Sequence, residues 1–129
     1  MTNILIADDH DLVRETIAAY LETVDSFKVF TAHDLASALE VMSGVDSIDL
    51  LILDYNMPGM NGLQGLERAC TSYPATKVAL MSGVANREIA NNAMERHARG
   101  FIPKSLSATS FINAIKFILS GERYLPFDL

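Results

Sequence analysis

Five short apolar runs, at residues 4–7, 27–31, 50–53, 78–81 and 101–102, alternate with longer segments of helical period. Runs this short and this continuously apolar read as strands buried on both faces, which is the environment of a parallel sheet covered by helices. Parallel neighbours need crossover connections, and the intervening segments supply them. Val13, Ile17, Tyr20, Leu21 and Val24 share one helical face, with Arg14, Glu15 and Glu22 off it. A second helix spans residues 35–42 after the candidate cap Asp34. The third follows Gly62 and carries Leu63, Leu66, Cys70 and Tyr73 on its apolar side. The fourth has a thin, alanine-rich face of Ile89, Ala90, Ala93 and Met94. The last begins after Ser107, runs Phe111, Ile112, Ile115, Ile118 and Leu119 along one stripe, and stops at Gly121. The expectation is an α/β fold of five β-α units without repeat or internal linker.

The 129 residues suffice for one ordinary domain and leave no room for a second. Ten basic against sixteen acidic residues give a net charge of −6, which disfavours binding of nucleic acid by this chain alone. The single cysteine, Cys70, falls on an apolar helix face and reads as a packing thiol in a reducing cytoplasm. The N-terminus lacks the pattern of a signal peptide, and no apolar stretch reaches membrane-spanning length. A soluble, cytoplasmic protein without membrane association is expected. His10, His33 and His97 lack the spacing of a zinc site, and the scattered methionines read as gap fillers.

In an open parallel sheet, ligands bind beyond the carboxyl ends of the strands. Asp8 and Asp9 follow the first strand, Asp54 ends the third, Ser82 follows the fourth, and Lys104 lies just past the fifth. Taken singly, these are ordinary residues: loop charges capping a helix, a turn carboxylate, a loop hydroxyl and a surface ammonium. Placed on one edge, they form a chemical group. Three clustered carboxylates must share a proton or hold a cation, and a few oxygen ligands with room for water suit Mg2+ better than calcium. Beside that Lewis acid and Lys104, the Asp54 carboxylate could attack phosphorus, with Ser82 bonding a phosphoryl oxygen.

These residues resemble the receiver domain of bacterial two-component response regulators. The resemblance covers nearly the whole chain: Asp8 and Asp9, Asp54 with Met57, Pro58, Gly59 and Gly62, Ser82, and Lys104 after Gly100, Phe101, Ile102 and Pro103. It implies a flavodoxin-like (βα)5 three-layer sandwich with a five-stranded parallel sheet in the order 2-1-3-4-5. It also implies Asp54 as phosphoacceptor, Asp9 as direct magnesium ligand with Asp8 assisting, the backbone carbonyl of Asn56 as a third metal contact, and Lys104 as the phosphoryl partner. Ser82 and the switch aromatic Phe101 would respond, with Phe101 turning inward. The donor would be a sensor histidine kinase or a small phosphodonor, and self-phosphorylation and self-dephosphorylation would be the sole reactions. His10 to Arg14 and residues 121–126 look most like the NarL/LuxR-type subfamily, whose members continue into a helix-turn-helix domain for transcription regulation. On that basis residues 1–121 form the receiver and 122–129 a tail or the start of a linker. This would be a receiver cut from a longer regulator or a free-standing one.

Some positions depart from the family pattern. Ser105 stands where many receivers have proline, Phe101 lacks the hydroxyl of the commoner tyrosine, and Val84 offers no polar side chain to orient water. The last implies a phosphoryl group that hydrolyses slowly. Two other functions compete with the switch. An aspartyl-nucleophile phosphohydrolase would want a neighbouring general acid, yet Tyr55 and Asn56 follow Asp54. A degenerate receiver serving as a constitutive interaction module would not need the acidic residues and Lys104. The favoured expectation is a phosphorylation-controlled module with a dimerisation or docking surface from about Arg87 to Gly121.

Overall fold

The computed structural model describes residues 1–84 and 86–126. Five strands and five helices alternate: β1 (Thr2–Ala7), α1 (Asp11–Glu22), β2 (Phe27–Ala32), α2 (Leu35–Gly44), β3 (Leu50–Asp54), α3 (Gln64–Ser72), β4 (Lys77–Ser82), α4 (Arg87–Glu95), β5 (Gly100–Pro103) and α5 (Ala108–Leu119). All strand pairs are parallel and the order is β2-β1-β3-β4-β5. This is the flavodoxin-like arrangement expected from the resemblance.

The period of two along each strand divides the core. Leu5, Ala7, Leu51, Leu53, Val78, Leu80 and Phe101 face one helical layer, together with residues of α2, α3 and α4. Ile4, Ile6, Leu50, Ile52, Ala79, Met81 and Ile102 face the other, against Ile17 and Leu21 of α1 and Phe111, Ile115 and Ile118 of α5. With both faces covered, the central strands have no use for polar residues until they reach the edge.

Local chemistry starts and stops the helices where the residues suggest. The Asp34 carboxylate accepts from the Ser37 amide at 2.7 Å, and this bond holds its carboxyl below the ordinary range. Ser107 caps α5 by accepting from the Ser110 amide at 3.2 Å. Gly121 ends that helix at φ +102°, a conformation that costs a side-chain-bearing residue. The peptide between Lys104 and Ser105 is trans.

Registers bring the strand ends level. Ala7 pairs with Leu53, Asp54 with Met81, and Ser82 with Pro103, so the residues that follow them emerge at one edge. No helix among the described residues is long and apolar enough to cross a membrane.

Candidate functional site

At that edge Asp8 is fully buried, Asp54 is 1% exposed and Ser82 3% exposed. The backbone ties each down. The Asp8 amide donates to the Ala32 carbonyl at 3.1 Å, Tyr55 donates to Met81 at 2.9 Å, and Lys104 donates to Ser82 at 2.9 Å. Each sheet neighbour thereby continues its pairing one residue past the strand, which fixes where the side chains point.

The Lys104 ammonium lies 2.8 Å from Asp8 Oδ2 and 3.1 Å from Asp54 Oδ1. One cation therefore serves two buried carboxylates. Burial, and then the charge of Asp8, raise the Asp54 carboxyl above the ordinary carboxylate range, and Lys104 only partly opposes them. Burial alone would lower the Lys104 pKa, but its bonds and charge contacts with Asp8 and Asp54 raise it instead. Asp54 Oδ1 also accepts a long bond from the Asn56 amide, 3.4 Å, whereas Oδ2 is buried without a hydrogen-bond partner among the described residues. A charged oxygen in that condition costs stability unless another species completes it.

The remaining positions fall around this pair. Asp9 is one-third exposed at the rim. The Ser82 hydroxyl is engaged with Val84, accepting from its amide at 3.1 Å and donating to its carbonyl at 3.2 Å. Phe101 is fully buried, in the same cluster as Ala90, Ala93 and Ala98, so the aromatic expected to turn inward is already inside.

Two residues reach the site by contacts that periodicity and spacing do not report. Arg14, off the packed face of α1 by its period, is only 15% exposed: Nη1 donates to the Asp8 carbonyl at 2.9 Å and Nη2 to Asp11 at 2.8 Å. His10, without ligand spacing in the sequence, has Nδ1 3.3 Å from a carboxylate oxygen of Asp8 and of Asp9. Ligand atoms of Asp8, Asp9, His10 and Asp54 all lie within 4.8 Å of one another. The signal for both lay in the β1–α1 loop and the first turn of α1, where the chain reverses over the sheet edge, and helical periodicity does not report it.

Comparison with known proteins adds a decisive match: the family described as the response regulator receiver domain covers residues 4–116. The chain is a response regulator receiver domain. The receiver is 40% identical over 132 residues to the glycerol metabolism activator of Pseudomonas putida, covering 100% of this chain and 59% of that protein. It is 31% identical over 130 residues to the transcriptional regulatory protein LnrK of Bacillus subtilis (strain 168), again 100% of this chain and 59% of the relative. The receiver thus spans 59% of the length of these curated relatives. Among solved structures, a LuxR family DNA-binding response regulator from Silicibacter pomeroyi superposes with a TM-score of 0.88 at 35% identity, covering 100% of both chains. The receiver thus sits among NarL/LuxR-type regulators, a signal-transducing family, and the match favours the switch over a phosphohydrolase.

Proposed function

We propose that this receiver accepts a phosphoryl group on Asp54 from a phosphohistidine of a sensor histidine kinase, or from a small phosphodonor. The observation that supports this most is the state of Asp54: buried, its Oδ2 without a hydrogen-bond partner among the described residues, and its Oδ1 3.1 Å from the Lys104 ammonium. In the transfer, a carboxylate oxygen of Asp54 attacks phosphorus. The P–N bond breaks, and the imidazole nitrogen leaves with the bonding pair. Lys104 then exchanges part of its contact with Asp54 for the phosphoryl oxygens, whose charge it balances.

The donor set fits a hard divalent ion, because the carboxylates of Asp8, Asp9 and Asp54 converge and Asp54 Oδ2 lacks a hydrogen-bond partner among the described residues. Asp9, Asp54 and the Asn56 carbonyl would hold Mg2+ directly, with Asp8 acting through water. Bound magnesium supplies Lewis-acid neutralisation of the phosphoryl oxygens. His10 stands at the rim, where its amide donates to Asp8 Oδ1 at 2.8 Å and its Nδ1 lies 3.3 Å from a carboxylate oxygen of Asp8 and of Asp9.

Ser82 must release Val84 to reach the phosphoryl group, which links modification to the β4–α4 loop. Phe101 responds from within the core, through packing against the alanines of α4. The changed face, made by α4, β5 and α5, supports phosphorylation-dependent dimerisation or docking. Residues 1–121 carry the receiver, and residues 122–129 lead toward a transcription-regulating output of the kind its relatives' names describe. Self-phosphorylation and slow self-dephosphorylation are its own chemistry, slow because Val84 offers no group to activate water.

The test is incubation of the protein and an Asp54→Asn variant with magnesium and acetyl phosphate. One added phosphate, lost on hydroxylamine treatment and absent from the variant, is expected. An adduct independent of Asp54 would overturn the assignment, and an adduct that turns over within seconds would overturn slow hydrolysis.

A further inference from the structure

The segment after α5 does not leave the fold at Gly121. Tyr124 forms a parallel bridge with Gly100, at the start of β5. The Phe101 amide donates to the Tyr124 carbonyl at 3.0 Å, and the Tyr124 amide donates to the Arg99 carbonyl at 2.9 Å. Arg99 Nη2 donates to the Gly121 carbonyl at 2.8 Å. The outer edge of β5, otherwise open at the end of the sheet, is thus partly covered by its own chain.

Side chains reinforce this. The Arg123 guanidinium donates to the Ala98 carbonyl at 3.2 Å and also to the Met94 carbonyl, so it closes the C-terminal end of α4, where carbonyls are short of donors and a cation is favoured. The Tyr124 ring meets Phe117 edge-on, with centroids 6.4 Å apart. Leu125 packs against the cluster that contains Phe101. Gly100 permits the approach, since a Cβ there would lie 2.7 Å from Ile118 Cδ1 and 3.3 Å from Tyr124 Cβ.

We propose that Arg123 and Tyr124 are positioning residues that strap α4 and β5 to the chain beyond α5, so that the state of the Asp54 site is read at this strap. The inference rests on the proposed function for its trigger and on the strap's own contacts for its path. Ser82 pairs with Pro103 across β4 and β5, and Phe101, two residues earlier, bonds the strap. A shift of α4 or β5 must therefore break or move the bonds of residues 123 and 124.

Amide hydrogen exchange on the 129-residue chain tests it, for wild type, Arg123→Gln and Arg123→Lys, in magnesium alone and with beryllofluoride as phosphoryl mimic. In magnesium, the Phe101 and Tyr124 amides are expected to be protected. Arg123→Gln should speed exchange at Arg96, His97 and Ala98 by about tenfold, with Arg123→Lys recovering part of the loss and Leu5 and Ile52 unmoved. Wild-type rates at 96–98, or a uniform change across the sheet, would overturn the positioning role. With beryllofluoride, bound as shown by its fluorine resonance, Phe101 and Tyr124 should change exchange by about threefold or more, and less in Arg123→Gln. Bound mimic with both amides unchanged overturns the coupling. Failure of the mimic to bind counts against the Asp54 reading, and the comparison in magnesium alone then still decides whether Arg123 holds α4.

Discussion

The two ends of the sheet solve opposite problems. At the carboxyl end, two buried carboxylates share one ammonium, and an oxygen of Asp54 has no hydrogen-bond partner among the described residues. At the amino end, polar groups close the strands in ordinary ways: the Asn3 amide donates to Asp49 at 2.8 Å, its side chain donates to the Ser47 carbonyl at 2.7 Å, and the Thr76 hydroxyl donates to the Ile48 carbonyl at 2.9 Å. Stability is thus given up mainly at one end. Electrostatic frustration among carboxylates is concentrated where a ligand would relieve it, while the far end carries a buried Arg99 Nε without a hydrogen-bond partner among the described residues and local strain at His97, with φ +72°.

The most severe way to break this contrast is Lys104→Met. It removes the cation from two buried charges, and a loss of about 3 kcal/mol is expected in urea unfolding without divalent ions. Magnesium should restore part of that loss by binding the native state. A cost below that of an ordinary surface mutation would mean the carboxylates are not coupled as described.

Asp54→Asn works in the opposite direction, with an expected gain of about 1 kcal/mol at neutral pH, because it removes first the cost of burying the charge and then the repulsion with Asp8. The sign comes from the raised Asp54 pKa: folding favours its neutral form. The stability difference between variant and wild type should therefore shrink as pH falls through that raised value toward 3.8. Wild-type magnesium binding should weaken over the same descent, as calorimetry can show. For Lys104 the folded pKa is raised, so its stabilisation is present at neutral pH and is lost as pH climbs beyond 10.5 through the folded value.

At the amino end no effect should approach that of Lys104→Met. His97→Gly relieves a left-handed conformation just past α4 and should raise stability by about 1 kcal/mol, read as an upward shift of the thermal midpoint. Asp49→Ala removes an exposed bond to the Asn3 amide and should cost about 0.5 kcal/mol in the same assay. If Asp49→Ala proved as damaging as Lys104→Met, the distinction between the two ends would fail.

Within the helical layers a similar contrast separates α5, which buries Phe111, Ile115 and Ile118, from α4, whose buried residues are Ala90 and Ala93. The small face of α4 offers little apolar area to hold it, which is why its ends depend on Asn86 at one terminus and Arg123 at the other. The alanine pattern was legible in the sequence; the Arg123 contact was not, because it joins residues 29 apart through the geometry of β5.

Much of the fold follows from periodicity that any window of the chain displays. Alternation of buried strands with amphipathic helices, the caps Asp34 and Ser107, and the stop at Gly121 are local properties, dictated by side-chain shape and backbone preference. The placement of Asp8, Asp9, Asp54, Ser82 and Lys104 after strand ends was also readable, since parallel topology carries all carboxyl ends to one edge. Distances across that edge were not. That Lys104 bridges Asp8 and Asp54, that Arg14 and His10 turn back onto the acidic pair, that Phe101 is already inside, and that Tyr124 returns to β5 depend on how separate loops pack together. Periodicity encodes which face a residue occupies. Only closure of the whole sheet decides which residues from different strands meet, because those contacts form between segments that carry no local record of one another.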